Sequence, residues 1–259
     1  GIIGKFTFSF IITIRLISEI FSNLIVIGLI FGQEGGLEYN VSIFLIMVLA
    51  FSYSFLGGFR NSIKTDFFQM TIFLILLLVL LIGILFSNTL IDNNLILAKL
   101  NDISNPAYAL ILVALLQVWS YPIHDPVMMD RGFVCNKNKT KKSFFLAFLL
   151  ISFCIFLFSL LGLCLAENAL YGNTFIEAIK VNFNSYLSYI IFSLLIISAI
   201  STLDSTLSSA AKLIVIDLAF FPQTIFHGRV VMFIFTILGL VFIFFNTKDL
   251  FTAVAVSGT

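Results

Sequence analysis

The chain has 259 residues, of which 60% are hydrophobic and only 10% are charged, and its mean hydropathy is +1.13. A soluble domain of this size needs more polar surface, so the composition indicates an integral membrane protein. The net charge of +1 gives no overall field that would attract nucleic acid. The cysteines Cys135, Cys154 and Cys164 and the histidines His124 and His227 lack metal-ligand spacing, which argues against a zinc or haem enzyme.

Apolar segments of about 20 residues, long enough to cross a membrane, alternate with short polar breaks. We place them at residues 6–31, 41–57, 67–87, 106–129, 143–165, 186–216 and 229–246. An eighth begins near Leu250, and the chain starts at Gly1 without an initiator methionine, so we expect it to be part of a longer protein. The segments do not alternate polar with apolar residues as membrane strands do, which predicts an all-α transmembrane chain.

Basic residues concentrate in every second break between these segments. The even-numbered breaks contain Arg60, Lys64, Arg131, Lys137, Lys139, Lys141, Lys142 and Arg229, whereas the odd-numbered breaks are mainly acidic. The positive-inside rule then places the even breaks in the cytoplasm and directs the first helix outward. We therefore expect a multi-pass protein of the plasma membrane or bacterial inner membrane. We interpret the lysines at residues 137–142 mainly as a signal of topology, with contact to anionic lipids as a minor second role.

Three of the apolar segments, the first, the fourth and the sixth, carry polar residues at membrane depth. In the first, Arg15 and Glu19 are spaced i,i+4 and predict an ion pair on one helix face, which we interpret as structural rather than as part of a transport path. In the fourth, Pro122 and Pro126 each remove a backbone donor, so the helix is expected to kink or unwind there. Both a plain kink near the cytoplasmic end and a discontinuous helix that exposes carbonyls to ions and substrate fit this pattern.

The sixth segment is the richest in hydroxyl groups. Ser201 and Thr202, with the backbone carbonyl of Ser198 one turn earlier, predict three oxygens that converge on one point. Such a cluster can supply part of the shell of Na⁺, a small hard cation that prefers oxygen ligands. The alternative is that each hydroxyl bonds to the carbonyl three or four residues earlier and packs against a neighbouring helix.

The break after the second segment has a distinctive sequence. Gly57 and Gly58 permit a tight turn, and Asp66 is expected at the start of the next helix, where the macrodipole favours an anion. As a helix cap, Asp66 needs no functional explanation.

Three motifs together resemble the sodium/solute symporter family. Gly57-Gly58-Phe-Arg60 to Thr65-Asp66-Phe-Phe-Gln69 is similar to its Gly-Gly, Thr-Asp and Gln signature. Ser201-Thr202-Leu-Asp204-Ser205 through Asp217 resembles its hydroxyl-rich helix with a closing aspartate. Asp125-Pro126-Val-Met-Met-Asp130-Arg131 looks like the segment that ends in the family's arginine at the cytoplasmic mouth. The resemblance covers essentially the whole chain.

The resemblance implies a LeuT-type bundle of two inverted five-helix repeats. Residues 1–259 would then form a single incomplete transporter domain with core helices 3 to 9 and the start of 10, and without core helices 1 and 2. Residue by residue, it implies that Ser201 and Thr202 are hydroxyl ligands of a sodium site and that Ser198 is its carbonyl ligand. Asp66 matches an aspartate that is implicated in sodium coupling in some members.

This chain also departs from the family pattern. Pro126 and Asp130 stand where many members have glutamine, and the proline is similar to that of the proline-transporter branch. That branch has aromatic residues one and two turns earlier, where this chain has Pro122 and Val118, so proline is doubtful as the substrate. The candidates for solute binding are Gln117, Trp119 and Tyr121.

We therefore expect a Na⁺-coupled symporter that imports a small organic solute by alternating access, with Na⁺ as coupling ion and no covalent cofactor. Its partners are the solute, Na⁺ and the lipid bilayer. A transporter-like sensor module fused to a histidine kinase is the alternative, because the same helical module occurs in such proteins. A membrane enzyme is disfavoured, since the sequence contains no paired acid/base or metal constellation.

Overall fold

The computed structural model describes residues 2–86, 112, 115–116, 118–121, 125–169 and 175–245. Every regular element in these ranges is a helix. In chain order they are α1 (Ile2–Phe31), α2 (Leu37–Phe86), α3 (Pro126–Gly132), α4 (Lys137–Ala169), α5 (Phe175–Asn182), α6 (Ser185–Lys212), a π-helix (Leu213–Asp217) that continues α6, and α7 (Ile225–Phe245). The predicted all-α class is therefore confirmed for the described ranges, whereas the LeuT-type arrangement stays a prediction.

Four of the described helices are long and apolar enough to cross a membrane. They are Phe6–Phe31, Leu37–Ile84, Lys137–Gly162 and Ser185–Asp217, and a shorter apolar helix spans Ile225–Val241. Large apolar side chains are exposed along them, for example Phe145 (62%), Leu146 (65%) and Phe148 (62%) on α4. Water would penalise this exposure, whereas acyl chains would not. The chain therefore has the character of a multi-pass membrane protein.

The second and third predicted segments, 41–57 and 67–87, belong to one long helical element. The loop predicted for residues 59–66 is wrong, because α2 is interrupted only at Gly58, which has φ 58° and ψ −168°. Only glycine adopts this backbone conformation at little cost, and no proline follows that would prevent the helix from resuming directly. The segments on either side of Gly58 are each longer than the roughly 20 residues that a membrane span needs.

The fourth predicted segment, 106–129, is not one continuous helix. Residues 118–121 are helical, residues 122–124 lie outside the described ranges, and Asp125 is non-helical before α3 begins at Pro126. The Asp125 carboxylate accepts a hydrogen bond from the Val127 amide at 3.1 Å. Asp125 is therefore the N-cap of α3, and Pro126 occupies the first helical position, where its missing N–H costs nothing. The predicted interruption is confirmed at Asp125.

Four other predicted segments coincide closely with described helices. The predicted segments 6–31, 143–165, 186–216 and 229–246 lie within or close to α1, α4, α6 with its π-helical end, and α7. Helix α5 falls in a break where no helix was predicted. The eighth segment, from Leu250, lies outside the described residues.

The described residues form two compact units. The first contains residues 2–73, 125–130 and 195–245, and its core is made by apolar faces of α1, α2, α6 and α7. Its fully buried side chains include Leu16, Ile20, Leu24, Met47, Leu203 and Leu207. In the second unit, Leu161, Ile179, Ile191 and Leu194 are buried to 1% exposure or less. The prediction of a single domain stays a prediction.

Helices α1 and α2 approach closely at Gly28. A Cβ atom at this position would lie 2.5 Å from Cε2 of Tyr39, whose side chain is buried and cannot easily move. We expect Gly28→Val to lower the free energy of unfolding by about 1–3 kcal/mol through overpacking. Gly162→Val is the control, since nothing lies within 4 Å of a Cβ at Gly162. Equal losses for the two variants in unfolding titrations would contradict the close packing at Gly28.

Candidate functional site

The hydroxyl-rich part of α6 faces the second segment of α2, which is the part that follows Gly58 (residues 59–86). The Ser201 hydroxyl donates a hydrogen bond to Oδ1 of Asp66 at 2.7 Å. Two of the residues predicted to bind sodium are thus in direct contact, although they are 135 positions apart. The pair lies at intermediate depth in the first unit and joins a hydroxyl to a carboxylate, two groups that hard cations accept as ligands.

Ser198 and Thr202 form the second part of the cluster. The Thr202 hydroxyl donates to the Ser198 carbonyl at 2.9 Å, which is the back-bond that the alternative interpretation predicts. This bond uses the hydroxyl proton and leaves the lone pairs of Oγ1 free to bind a cation. The two oxygens therefore lie side by side on one face of α6.

A small cavity adjoins these oxygens. Its volume is about 160 Å³, and it is lined by Gln69, Met70, Phe73, Ile197, Ser198, Ser201 and Thr202. The amide oxygen Oε1 of Gln69 is buried and has no hydrogen-bond partner among the described residues. A buried acceptor without a donor costs free energy unless a donor or a cation satisfies it. The residues that line the cavity thus include Gln69, with its unsatisfied oxygen, and three of the four predicted sodium ligands.

The interpretation of Asp66 as a helix cap is wrong. Asp66 lies well inside the second segment of α2, which resumes directly after Gly58, so its carboxylate is not in a first helical turn. The favourable macrodipole field is limited to that turn and does not explain this residue. Its hydrogen bond from Ser201 connects α2 to α6 instead.

Asp204, which the sequence analysis named only as part of a motif, is a buried carboxylate on α6. It is 1% exposed, and it accepts hydrogen bonds from the hydroxyl of Ser54 and, at 2.8 Å on Oδ2, from that of Thr65. The Tyr53 hydroxyl donates to the Ile200 carbonyl nearby at 3.2 Å. Within the described ranges no basic side chain pairs with Asp204. Its signal in the sequence is that it is the single acidic residue of α6 and lies one turn after Ser201.

Ion pairs hold both ends of α3. Arg15 pairs with Glu19 at 3.8 Å as predicted, and its Nη1 also lies 3.3 Å from Oδ1 of Asp125, a contact that the sequence did not indicate. At the other end, Nζ of Lys212 lies 2.5 Å from Oδ1 of Asp130. Both pairs are mainly buried, so α3 is attached by charge to α1 at its N-terminus and to α6 near its C-terminus.

Lys212 has a second carboxylate partner. Its Nζ lies 3.1 Å from Oδ2 of Asp217, the closing aspartate of the predicted motif, which stands at the end of the π-helix. Asp217 is 43% exposed, whereas Asp130 is only 7% exposed. Because water screens the exposed pair, Asp130 is the partner whose charge depends on Lys212.

Two of the predicted solute-binding residues are described, and they belong to a different unit from the sodium candidates. Trp119 is 81% exposed and Tyr121 is half-buried, and both belong to the second unit, whereas Ser198, Ser201 and Thr202 belong to the first. Gln117 lies outside the described residues. The solute site therefore stays a prediction.

Among the residues that the structure describes, no three His, Cys, Asp or Glu side chains come together as a metal cluster. The small cavity is instead lined by residues with hydroxyl, carbonyl and amide oxygens, and the Asp66 carboxylate is bonded to one of them. No family model, curated protein or solved structure matches this chain.

Proposed function

We propose that this chain is the membrane part of a Na⁺-coupled symporter that imports a small organic solute by alternating access. The observation that carries the proposal is that Ser198, Ser201 and Thr202 line one cavity, where the Thr202 hydroxyl is bonded to the Ser198 carbonyl and the Ser201 hydroxyl to Asp66. The long apolar helices support a multi-pass membrane protein, as a transporter must be. The resemblance to the sodium/solute symporter family, which rests partly on the same residues, supports the same function.

The oxygen types favour a monovalent hard cation. Neutral hydroxyl and carbonyl oxygens with a single nearby carboxylate would balance the charge of one Na⁺, whereas Ca²⁺ sites contain several carboxylates. Hydrogen bonds now link Ser201 to Asp66 and Thr202 to Ser198. A bound cation would use the lone pairs of the same oxygens and would draw α2 and α6 together. The remaining ligands would come from another helix.

Coupling follows if Na⁺ binds one conformation better than the other. Na⁺ that draws α2 and α6 together stabilises the outward-open state, and its release to the cytoplasm frees the solute. Linkage requires that the solute in turn increases the affinity for Na⁺ by the same factor. The proposal thus includes a reciprocal effect that uptake measurements can detect.

The test is uptake by the whole protein in proteoliposomes, screened over sugars, amino acids and carboxylates with an inward Na⁺ or K⁺ gradient. We expect Na⁺-driven uptake of one solute class. In Ser201→Ala and Thr202→Ala, the Na⁺ concentration for half-maximal uptake should rise about ten-fold or more, because each change removes an oxygen that interacts with a charge.

The chain contains matched controls. The Ser52 hydroxyl bonds to the Val48 carbonyl at 2.6 Å, and the Thr71 hydroxyl bonds to the Phe67 carbonyl at 2.8 Å, both on exposed faces of α2. Ser52→Ala and Thr71→Ala should therefore leave the Na⁺ dependence unchanged. Unaltered Na⁺ dependence in Ser201→Ala and Thr202→Ala at normal expression would contradict the site. Na⁺ binding without uptake of any solute would contradict the symporter and favour a sensor.

A further inference from the structure

A larger cavity lies beside the break in α2. Its volume is about 550 Å³, and its walls come from three parts of the first unit: residues 55–59 around Gly58, residues 208–216 of α6 and the π-helix, and residues 223–232 at the start of α7. The cavity does not include the hydroxyl cluster of Ser198, Ser201 and Thr202. The sequence motifs assign no function to it.

The charged groups in the wall are both positive. Lys212 and Arg229 line the cavity, and no aspartate or glutamate does. Lys212 is compensated by Asp130 and Asp217, whereas Arg229 has no carboxylate within ion-pair distance in the part of the chain that the structure describes. Lys212 is therefore already neutralised, and Arg229 is the cation in the cavity wall that an anionic ligand can pair with.

Arg229 is held in place and still has donors to offer. Its Nε donates to the Phe55 carbonyl at 3.0 Å, and its guanidinium carbon lies 4.7 Å from the centroid of the Phe55 ring. These contacts fix the plane of the guanidinium and leave its two terminal amino groups for a ligand. Two parallel N–H groups in one plane match the oxygens of a phosphate or carboxylate.

The start of α7 adds to the positive potential. The Thr224 hydroxyl, in the cavity wall, accepts a hydrogen bond from the His227 amide at 3.3 Å and so caps the helix. A helix N-terminus carries a partial positive charge that favours anions. Together with Arg229, it makes this cavity suited to an anionic group.

The rim of the cavity is apolar and faces outward. Leu56 on α2 is 77% exposed, Ile216 on the π-helix that continues α6 is 54% exposed, and Ile225 at the start of α7 is 78% exposed. Such side chains suit acyl chains and not water. A ligand with an anionic head and an apolar tail fits this combination better than a small soluble anion does.

The expected position of the cavity on the cytoplasmic side of the membrane agrees with an anionic lipid as its ligand. Arg60 and Lys64 follow the glycine break, and the positive-inside rule places them and Arg229 at the cytoplasmic face. The cytoplasmic leaflet is the one rich in anionic lipids, and basic pockets between helices on this side bind their headgroups.

We propose that this cavity binds the phosphate headgroup of an anionic phospholipid, with Arg229 as its principal contact and Leu56, Ile216 and Ile225 against the acyl chains. The lipid would bridge the glycine break of α2 and the start of α7. This inference does not depend on Na⁺ coupling and would hold for a carrier or a sensor.

The test measures lipid binding to the whole purified protein by native mass spectrometry, with phosphatidylglycerol and phosphatidylcholine of identical acyl chains. We expect one tightly bound phosphatidylglycerol and no comparable phosphatidylcholine. Arg229→Gln should weaken it at least about ten-fold, because it removes hydrogen bonds to a charged group. Arg229→Lys should recover only part of the affinity, since the ammonium lacks the planar fork.

A neutral variant separates shape from charge. Gly228 lines the cavity, and nothing lies within 4 Å of a Cβ placed there, so Gly228→Leu can fill the cavity while Arg229 remains. It should also weaken phosphatidylglycerol binding by about ten-fold or more. Gly162→Leu is the matched control, because Gly162 is equally open but does not line the cavity. This variant keeps the test valid even if Arg229→Gln fails to fold.

Arg60→Gln is the charge control, since Arg60 is exposed and does not line the cavity. It should keep at least half of the phosphatidylglycerol affinity. Equal binding of the two lipids would overturn the proposal, and so would equal losses in Arg60→Gln and Arg229→Gln. If inorganic phosphate alone binds at Arg229 and phosphatidylglycerol binds no more tightly, the cavity is a site for a free anion and the lipid proposal is wrong.

Discussion

Arg15→Met should lower the free energy of unfolding by about 3–5 kcal/mol, one of the two largest effects that we expect from a single change in this protein. The arginine side chain is 6% exposed, and its carboxylate neighbours Asp125 and Glu19 are 12% and 19% exposed. Removal of the cation leaves two buried carboxylates close together. Their mutual repulsion and their lost solvation have no compensation in an apolar surrounding.

Substitutions of Asp125, the partner of Arg15, can distinguish the loss of the ion pair from the loss of the helix cap. Asp125 both pairs with Arg15 and caps α3, so Asp125→Ala would remove two interactions at once. Asparagine is as good an N-cap as aspartate and carries no charge. We therefore expect Arg15→Met/Asp125→Asn to regain at least 1 kcal/mol, about the lower range of coupling energies between contacting residues.

The measurement is equilibrium unfolding in mixed micelles of graded denaturing detergent. Arg60→Met is the control, because Arg60 is exposed and pairs with no carboxylate in the described part of the chain. It should change the stability by less than about 0.5 kcal/mol. If Arg60→Met costs as much as Arg15→Met, or if the double variant regains nothing, the buried charge cluster does not hold α3 to α1.

The sequence predicted much of the helical framework because apolar runs are a local signal. Segments 6–31 and 186–216 correspond to α1 and to α6 with its π-helical end within a few residues. The predicted loop between Gly58 and Asp66 failed for a local reason as well. A single glycine at positive φ redirects the chain, so the charged residues that follow it remain helical.

The contacts of the candidate site were harder to predict. Helical periodicity indicates which residues share a face, but the neighbouring helix and its axial register depend on packing along the whole interface. Ser201 could be identified as a ligand candidate from its neighbours on α6, whereas its bond to Asp66 crosses 135 positions of sequence. The contacts of Asp204 with Ser54 and of Arg15 with Asp125 were missed for the same reason.

The second large effect is expected at Lys212. Lys212→Met should lower the free energy of unfolding by about 3 kcal/mol, because the Asp130 carboxylate loses its cation while its side chain is only 7% exposed. One oxygen of Asp130, Oδ2, already has no hydrogen-bond partner in the described ranges. The anion therefore depends on Lys212 for its stabilisation to an unusual degree.

The two carboxylates around Lys212 should respond very differently. Asp217→Asn removes a partner that is 43% exposed, so the cost should be below about 1 kcal/mol. Asp130→Asn should cost less than Lys212→Met, because Lys212 is itself 29% exposed and keeps Asp217 as a partner. The order of destabilisation is thus Lys212→Met, then Asp130→Asn, then Asp217→Asn.

A double-mutant cycle tests this order in the same unfolding assay. Lys212→Met/Asp130→Asn should be more stable than Lys212→Met alone, because the uncompensated buried charge is gone. Lys212→Arg keeps the charge and should lose the least of the Lys212 variants. If Asp217→Asn costs as much as Lys212→Met, the stabilising pair is the exposed one. In that case only the N-terminal end of α3 is held, by the ion pair of Asp125 with Arg15. Its C-terminal end would not be held to α6 and could move about the N-terminal attachment.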